Sequence, residues 1–515
     1  MTAAVPGLRG RRAGRTAGAR WSLERGATVV DGGVRFSVWA PRGERVSARL
    51  LSGRASGDHA LDPAEHGLFE GEVRGAAAGD DYQYVLESTG AAPLALPDPV
   101  SRYQPQGVHG PSRVVDPHAF EWGDHDWRGL DMAQLIIYEL HVGTFSDEGT
   151  FDGVVPHLRG LRELGVTAME IMPVAEFPGS RNWGYDGVHL YAPQSSYGGP
   201  DALRRLVNAA HEIGLAVVLD VVYNHLGPEG NRLADYGPYF TDTYRTPWGQ
   251  AVNYDGAGSD DVRRFVIDNA LYWVHEFHVD ALRLDAVHGI FDFGARHLLE
   301  ELSAAVHERS ARLDRRVQVI AESDLNDPKL LRDLEHGGYG MDAQWTDDFH
   351  HSVHVALTAE RSGYYVAYDG VASLARQLER RFMHDGIWSA FRGRRHGAPA
   401  ADLPAHRFVV FVQNHDQVGN RAAGERLSSL VSFEQLKLAA SVLLLSPYVP
   451  LLFMGEEYGE TNPFLYFVSH SDPALVEAVR SGRRKEFESF GWGDDVPDPQ
   501  SESTFRRSRL DRSRA

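Results

Sequence analysis

The sequence contains no cysteine. That excludes disulfides, thiolate metal sites and a cysteine nucleophile, and it fits a cytoplasmic protein. Positive charge is also scarce: 52 lysines and arginines face 71 aspartates and glutamates, for a formal net charge of −19. Such a balance argues against nucleic acid or an anionic membrane as partner and favours a neutral or cationic ligand. No uninterrupted apolar run has membrane-spanning character. The nearest, Leu438 to Met454, is interrupted by Pro447 and Pro450 and divides better into a buried helix and a buried strand. The Arg-rich residues 7–20 lack the apolar centre of a signal peptide, so residues 1–21 are expected to form a disordered tail.

What is present is a chain of 515 residues with 43% hydrophobic and 24% charged residues, too long for one core and suited to two or three domains. Residues 22–115 have the texture of a small β-sandwich. Val34 to Ala40 and Val46 to Leu50 alternate apolar and polar residues, and Phe69 to Val73 and Tyr82 to Leu86 follow after Gly-, Asp- and Pro-rich turns. Trp39 and the tyrosines there suit a sandwich core better than a sugar-binding face.

From Gln134 onward strands and helices alternate, the pattern of a mostly parallel sheet. Eight strand-length apolar runs are read at 135–142, 168–174, 216–222, 281–287, 317–322, 341–345, 408–413 and 448–454. Helical periodicity lies between them, as at 151–164, 201–213, 261–277, 294–307 and 433–445. Eight such units imply an α/β fold, a (β/α)8 TIM barrel over residues 116–490 with an insertion at 223–260 and a second long connection at 346–407. Residues 491–515 form a short C-terminal segment.

One stretch, Ala281-Leu-Arg-Leu-Asp-Ala-Val-His288, places Arg283 and Asp285 on the face of a strand opposite Leu282 and Leu284. Alone, it reads as a structural ion pair. It is not alone, because a TIM barrel gathers its active site at the C-terminal ends of its strands. Those ends supply Asp220 and His225, Arg283 and Asp285, Glu322, and His415 and Asp416. The set suits glycoside hydrolysis, in which one ionised carboxylate attacks the anomeric carbon and a protonated carboxyl serves the leaving oxygen. Asp285 has Arg283 to keep it charged, while Glu322 follows the apolar run Val317–Ala321, where burial favours a protonated acid. A metal site is the weaker alternative, since neither His-x-x-x-His nor an acidic triplet shows ligand spacing. No metal and no organic cofactor is expected. Calcium could use Asn224, but the adjoining insertion offers no oxygen-ligand cluster.

The segments Asp220-Val-Val-Tyr-Asn-His225, Ala281-Leu-Arg-Leu-Asp285, Val319-Ile-Ala-Glu322 and Asn414-His-Asp416 resemble, in order, the four sequence regions of the α-amylase clan of glycoside hydrolases. That resemblance covers roughly residues 134–457. It implies Asp285 as nucleophile, Glu322 as general acid/base and Asp416 as the third essential carboxylate. It also implies Asp220, His225, Arg283 and His415 around the cleaved sugar, with Tyr185 as its stacking platform.

Finer features, namely residues 182–191, 285–290, 321–324, 411–420 and 453–458, are similar to those of the malto-oligosyltrehalose trehalohydrolase family. His288, one residue earlier than the usual α-amylase histidine, joins the implied substrate-binding set. The family resemblance implies cleavage of the α-1,4 bond beside a terminal trehalose, and a functional pairing with a malto-oligosyltrehalose synthase. Branching and debranching enzymes are the nearest competing reading, and a catalytically silent glycan-binding module the third. All three carboxylates stand, which counts against silence. Trp183, Trp248 and Trp388 are candidate sugar platforms, each with core packing as the alternative. About 60 residues after Met454 leave too little chain for the C-terminal β-domain that the family normally carries.

Overall fold

The computed structural model describes residues 21–488 and 496–514. All of the expected tail except Trp21 lies outside the described residues.

Two antiparallel sheets form the N-terminal unit. One joins Gly26–Val30, Gly33–Trp39, Leu68–Arg74 and Asp62–Pro63; the other joins Gly57–Ala60, Arg45–Leu50, Asp81–Glu87 and Leu94–Leu96, with Ser112–Arg113 also paired to Asp81–Glu87. Strand alternation decides what fills the space between them: Val34, Phe36 and Val38 from one sheet and Val46, Ala48, Leu50, Tyr82 and Tyr84 from the other are buried. Trp39 and the tyrosines are therefore core. Their polar ends are satisfied, as where the Tyr82 hydroxyl donates to Asp98 at 2.6 Å. The segment leaving the sandwich is pinned to the next unit by the buried pair Arg102–Glu276 at 2.8 Å.

The second unit is a closed barrel of eight parallel strands: Ile137–Leu140, Ala168–Ile171, Ala216–Val221, Ala281–Leu284, Gln318–Ala321, Ala343–Trp345, Phe408–Phe411 and Val449–Phe453. Each falls within one of the eight apolar runs. Both faces of such strands are covered, which is why they read as continuous apolar runs. Tyr138, Met169, Val217, Leu282 and Val319 face the helices, while Ile137, Ala168, Val218, Ile320, Trp345 and Phe411 fill the inside. The interior is thus an apolar plug, and polar residues on the inward face collect above it, at the strands' C-terminal ends.

Helices occupy the connections, including Gly199–Glu212, Ser259–Glu276, Leu298–Leu313, Asp347–Thr358 and Phe433–Leu444. The helix expected over 151–164 runs as Phe151–Val154 and Leu158–Leu164 joined through a tighter helical turn, Val155–His157, that carries Pro156; Val154, Val155, His157 and Leu158 all keep right-handed helical angles. Proline has no N–H to continue the helical ladder. The insertion after the third strand holds a short helix, Leu233–Tyr236, and a hairpin, Phe240–Thr246 with Gly249–Val252. The connection after the sixth strand holds a second hairpin, Ile387–Ser389 with Arg394–His396. Near the C-terminus, helix Glu502–Arg507 lies against the barrel, with Phe505 packed edge-on to Phe467 at 5.1 Å.

Candidate active site

Arg283 is the hub of the barrel mouth. It projects inward from the fourth strand, is fully buried, and lies over the Trp345 ring at 4.3 Å. One of its nitrogens, Nη1, donates to both oxygens of Asp220, at 2.9 and 2.8 Å, and to Asp285 Oδ1 at 3.0 Å. The other terminal nitrogen, Nη2, stands 3.8 Å from Glu322 Oε2. Three carboxyl groups from the third, fourth and fifth strands therefore share one guanidinium. The parallel register, which sets Asp220 beside Arg283 and Arg283 beside Ile320, fixes that arrangement.

Asp285 is further held by Asn224, whose Nδ2 donates to Asp285 Oδ2 at 2.7 Å and to its backbone oxygen at 2.8 Å. Both side-chain oxygens thus accept from fixed donors, an environment for a carboxylate with a set direction. The next residue, Ala286, sits in the left-handed region at φ 38°. An alanine there stores about 1–3 kcal/mol of strain. The turn aims the Ala286 N–H at Glu322 Oε2, at 2.5 Å.

Glu322 has 15% of its side chain exposed. Burial pushes its carboxyl well above the ordinary range; Arg283 opposes the shift and Asp285 adds to it. It is thereby suited to carry a proton. Asp220 is pushed up to about 6 by burial, against the pull of Arg283. Asp416 is the most open of the group, with 41% of its side chain exposed. It lies 3.4 Å from His415 Nε2 and accepts from Asn420 Nδ2 at 3.2 Å.

Tyr185 crosses the site. Its hydroxyl donates to Asp220 Oδ2 at 2.6 Å and meets His415 Nε2 at 2.7 Å. Its ring stacks on His415 with centroids 5.3 Å apart, so one face is already covered. Gly184, at φ +109°, makes the turn that delivers it; a Cβ there would fall 2.1 Å from the Pro173 oxygen. His225 is buried, donates through Nε2 to the Tyr185 backbone carbonyl at 2.9 Å, and meets Asn224 through Nδ1. Burial lowers its pKa, partly offset by Asp285 and Asp186.

The structure therefore brings together Tyr185, Asp220, His225, Arg283, Asp285, Glu322, His415 and Asp416. His288 stands apart, exposed on the turn Val287–Gly289 at the rim, where its charge acts on Asp324. Of the three tryptophans, Trp183 is core, packed on Phe464 and donating to the Leu465 oxygen at 2.9 Å. Trp248, 51% exposed at the tip of the first hairpin, stacks on His225 with centroids 4.3 Å apart. Trp388 is exposed on the second hairpin, which Arg392 ties to Asp324 at 2.6 Å.

Three residues of the mouth escaped the sequence reading as site groups. Glu139, at the end of the first strand, is buried against His415. Asn224, weighed there only as a calcium ligand, instead holds Asp285. Asp347, which opens the helix after the sixth strand, is pushed up to about 7 by burial, with Asp324 and Asp416 adding to the shift. A carboxylate inside or just after an apolar strand was the available signal in two of the three.

The family model for the alpha amylase catalytic domain matches residues 114–245. The malto-oligosyltrehalose trehalohydrolase of Saccharolobus solfataricus is 50% identical over 485 residues, covering 94% of this chain and 83% of that protein. The protein of the same name from Arthrobacter ramosus is 50% identical over 481 residues, 93% of this chain and 83% of that one. Among solved structures, a Salmonella typhimurium protein described provisionally as an alpha amylase superposes with a TM-score of 0.89 at 43% identity, covering 96% of this chain and 83% of that one.

Proposed function

This chain belongs to the malto-oligosyltrehalose trehalohydrolase family of α-amylase-like glycoside hydrolases, and from that premise we propose the following reaction. It is a retaining glycosidase that cuts the α-1,4-glucosidic bond next to the terminal trehalose of a malto-oligosyltrehalose. Trehalose and a malto-oligosaccharide are the products. The observation that carries this reading is the pair of acidic groups, one oriented and one raised, that flank the Arg283 guanidinium.

Asp285 attacks the anomeric carbon while Glu322 passes its proton to the glycosidic oxygen, and trehalose departs. The malto-oligosaccharide is then joined to Asp285 by an ester bond. Glu322, now a carboxylate, takes a proton from water as that water attacks the same carbon. Asp285 is freed, the sugar leaves with its configuration retained, and Glu322 is protonated again. Asp416, opposite the acid, accepts hydroxyls of the reacting ring and balances its oxocarbenium-like charge. Tyr185, Asp220, His225 and His415 hold that ring.

Recognition of the trehalose end belongs on the side of Glu322, where His288, the Asp324–Arg392 pair and the hairpin bearing Trp388 form the rim. No helix among the described residues is long and apolar enough to cross a membrane. Absence of cysteine supports a cytoplasmic setting. The substrate's 1,1-linked end requires an enzyme that forms it on a maltodextrin, the role of a malto-oligosyltrehalose synthase. Incubation with maltotriosyl-trehalose and with a plain maltodextrin of equal length tests the reading. Equimolar trehalose and maltotriose from the first, with little product from the second, is the expected result. New α-1,6 branches, or equal cutting of both without free trehalose, would overturn it.

A further inference from the structure

His415 is enclosed on every side. Only 1% of its side chain is exposed, and the same holds for Glu139. Glu139 grips it twice: Oε1 faces ring Nδ1 at 2.5 Å, and Oε2 accepts from the His415 backbone N–H at 3.0 Å. On the opposite edge, ring Nε2 meets the Tyr185 hydroxyl at 2.7 Å.

The proton of that hydroxyl is already committed. It points at Asp220 Oδ2, 2.6 Å away, and Asp220 is itself bound by Arg283 Nη1 through both oxygens. A tyrosine that donates to a carboxylate can only accept from a third group. The imidazole must then donate through Nε2 to the tyrosine oxygen and through Nδ1 to the carboxylate of Glu139. Both ring nitrogens carry protons.

We infer that Glu139 is a positioning residue for the reaction proposed above: it holds His415 as an imidazolium, and that cation braces Tyr185 and Asp416 around the reacting sugar. The proposal rests on that reading for the substrate only. Its logic resembles other sites in which a carboxylate behind an imidazole fixes the ring and its protonation state.

The groups that face His415 from the surrounding elements agree with it. Glu139 comes from the first strand, Tyr185 from the turn after the second, Asp220 from the third, Arg283 from the fourth, and Asp416 follows on its own segment. Glu170 of the second strand and His141 after the first also feel its charge. Burial and Arg283 disfavour the cation; Asp416 and Glu139 outweigh them and push it up to about 9. Trp183, edge-on at 5.5 Å, and Trp345, at 6.1 Å, supply the apolar walls. Without Glu139 the same burial favours neutral imidazole. Tyr185 then loses the donor that orients its hydroxyl, and Asp416 loses its cation at 3.4 Å.

The test separates this titration from that of the acid by working in Glu322→Gln, which removes the Glu322 proton. Binding of maltotriosyl-trehalose to Glu322→Gln is measured by calorimetry from pH 6.5 to 8.5 and compared with Glu322→Gln/Glu139→Gln. As pH rises over that range the double variant is expected to lose about tenfold or more in affinity relative to the single variant, the titration of Asp347, pushed up to about 7, being common to both. Parallel pH profiles for the two would overturn the proposal and leave Glu139 a packing residue.

Should the double variant fail to fold, a measurement on Glu322→Gln alone decides. At pH 8, titration in two buffers of different ionisation heat is expected to show less than about 0.2 proton taken up on binding, because the imidazolium is already formed. Uptake near one proton would overturn the proposal. No binding by Glu322→Gln at any pH is a separate failure, that of the substrate assignment.

Discussion

His211 and His415, each buried between carboxylates, stand at opposite ends of the barrel and are used oppositely. At the floor, His211 is bound through Nδ1 to Asp124 at 2.7 Å and through Nε2 to Asp280 at 2.9 Å. Those carboxylates are themselves closed off. Asp280 accepts from Trp127 Nε1 and the Val217 N–H, and Asp124 accepts from His278. The Trp127 ring stacks on His211 at 4.9 Å. Every bond from His211 ends inside the protein.

The bonds from His415 lead outward instead, through Tyr185 and Asp220 to Arg283 and Asp285, and to the open Asp416. One ion-pair chemistry thus secures the N-terminal end of the strands and arms the C-terminal end. That division is the one expected of a TIM barrel, in which the floor serves stability and the mouth chemistry.

Substitutions at the two ends should therefore separate activity from stability. The largest effect is expected at Asp285. Asp285→Asn should lower kcat by about 10⁴-fold or more while the thermal midpoint stays close to wild type, read by trehalose release and by calorimetry. Next comes Glu322→Gln, with a loss of about 10²–10⁴-fold on natural substrate. Most of that activity should return on a maltosyl substrate with an activated leaving group, which needs no proton.

At the floor, His211→Gln should leave kcat unchanged but cost roughly 3–5 kcal/mol of folding stability by unpairing buried charge. Burial alone would lower the His211 pKa, but Asp280 and Asp124 raise it above its unfolded value. A raised folded-state pKa stabilises fully below the unfolded value, about 6.5, and the gain fades as pH climbs through the folded value. Burial likewise works against the Asp124 carboxylate, yet His211 and His278 hold it well below the usual range. Its share is present above its unfolded value, about 3.9, and is lost only in stronger acid. Denaturant unfolding of wild type and His211→Gln should thus differ most near pH 5–6 and converge toward alkaline pH. An equal difference at all pH values would mean that His211 acts by packing alone. The smallest effect is expected for Trp248→Ala, which removes the lid over His225 and should raise KM several-fold, worth about 1 kcal/mol, with kcat little changed.

Much of this architecture is legible in the sequence because its signals are local. Eight apolar runs mark the strands, and the ends of the third, fourth, fifth and seventh carry most of the groups that the mouth brings together. Arg283 and Asp285 share a strand face, so their pairing follows from alternation alone. Helical periodicity runs across Pro156, and the proline, which has no N–H to give the ladder, tightens one turn there without ending the helical path.

Long-range partners are a different matter. Glu139 and His415 lie 276 residues apart, and only barrel closure, with the eighth strand beside the first, sets them in contact. Trp248 gives no sign in sequence that its hairpin folds back over His225. His288, conspicuous in its motif, ends on the rim because the left-handed turn at Ala286 carries the chain away from the carboxylates.

Attack by Asp285 with Glu322 as acid on one sugar ring is best checked by the stereochemistry of the first product. Proton NMR of the anomeric signals during early hydrolysis of maltotriosyl-trehalose should show the α-anomer of the malto-oligosaccharide first, with the β-anomer growing in only by mutarotation. Initial appearance of the β-anomer would mean a single displacement by water and would contradict the assignment of Asp285 as a covalent nucleophile.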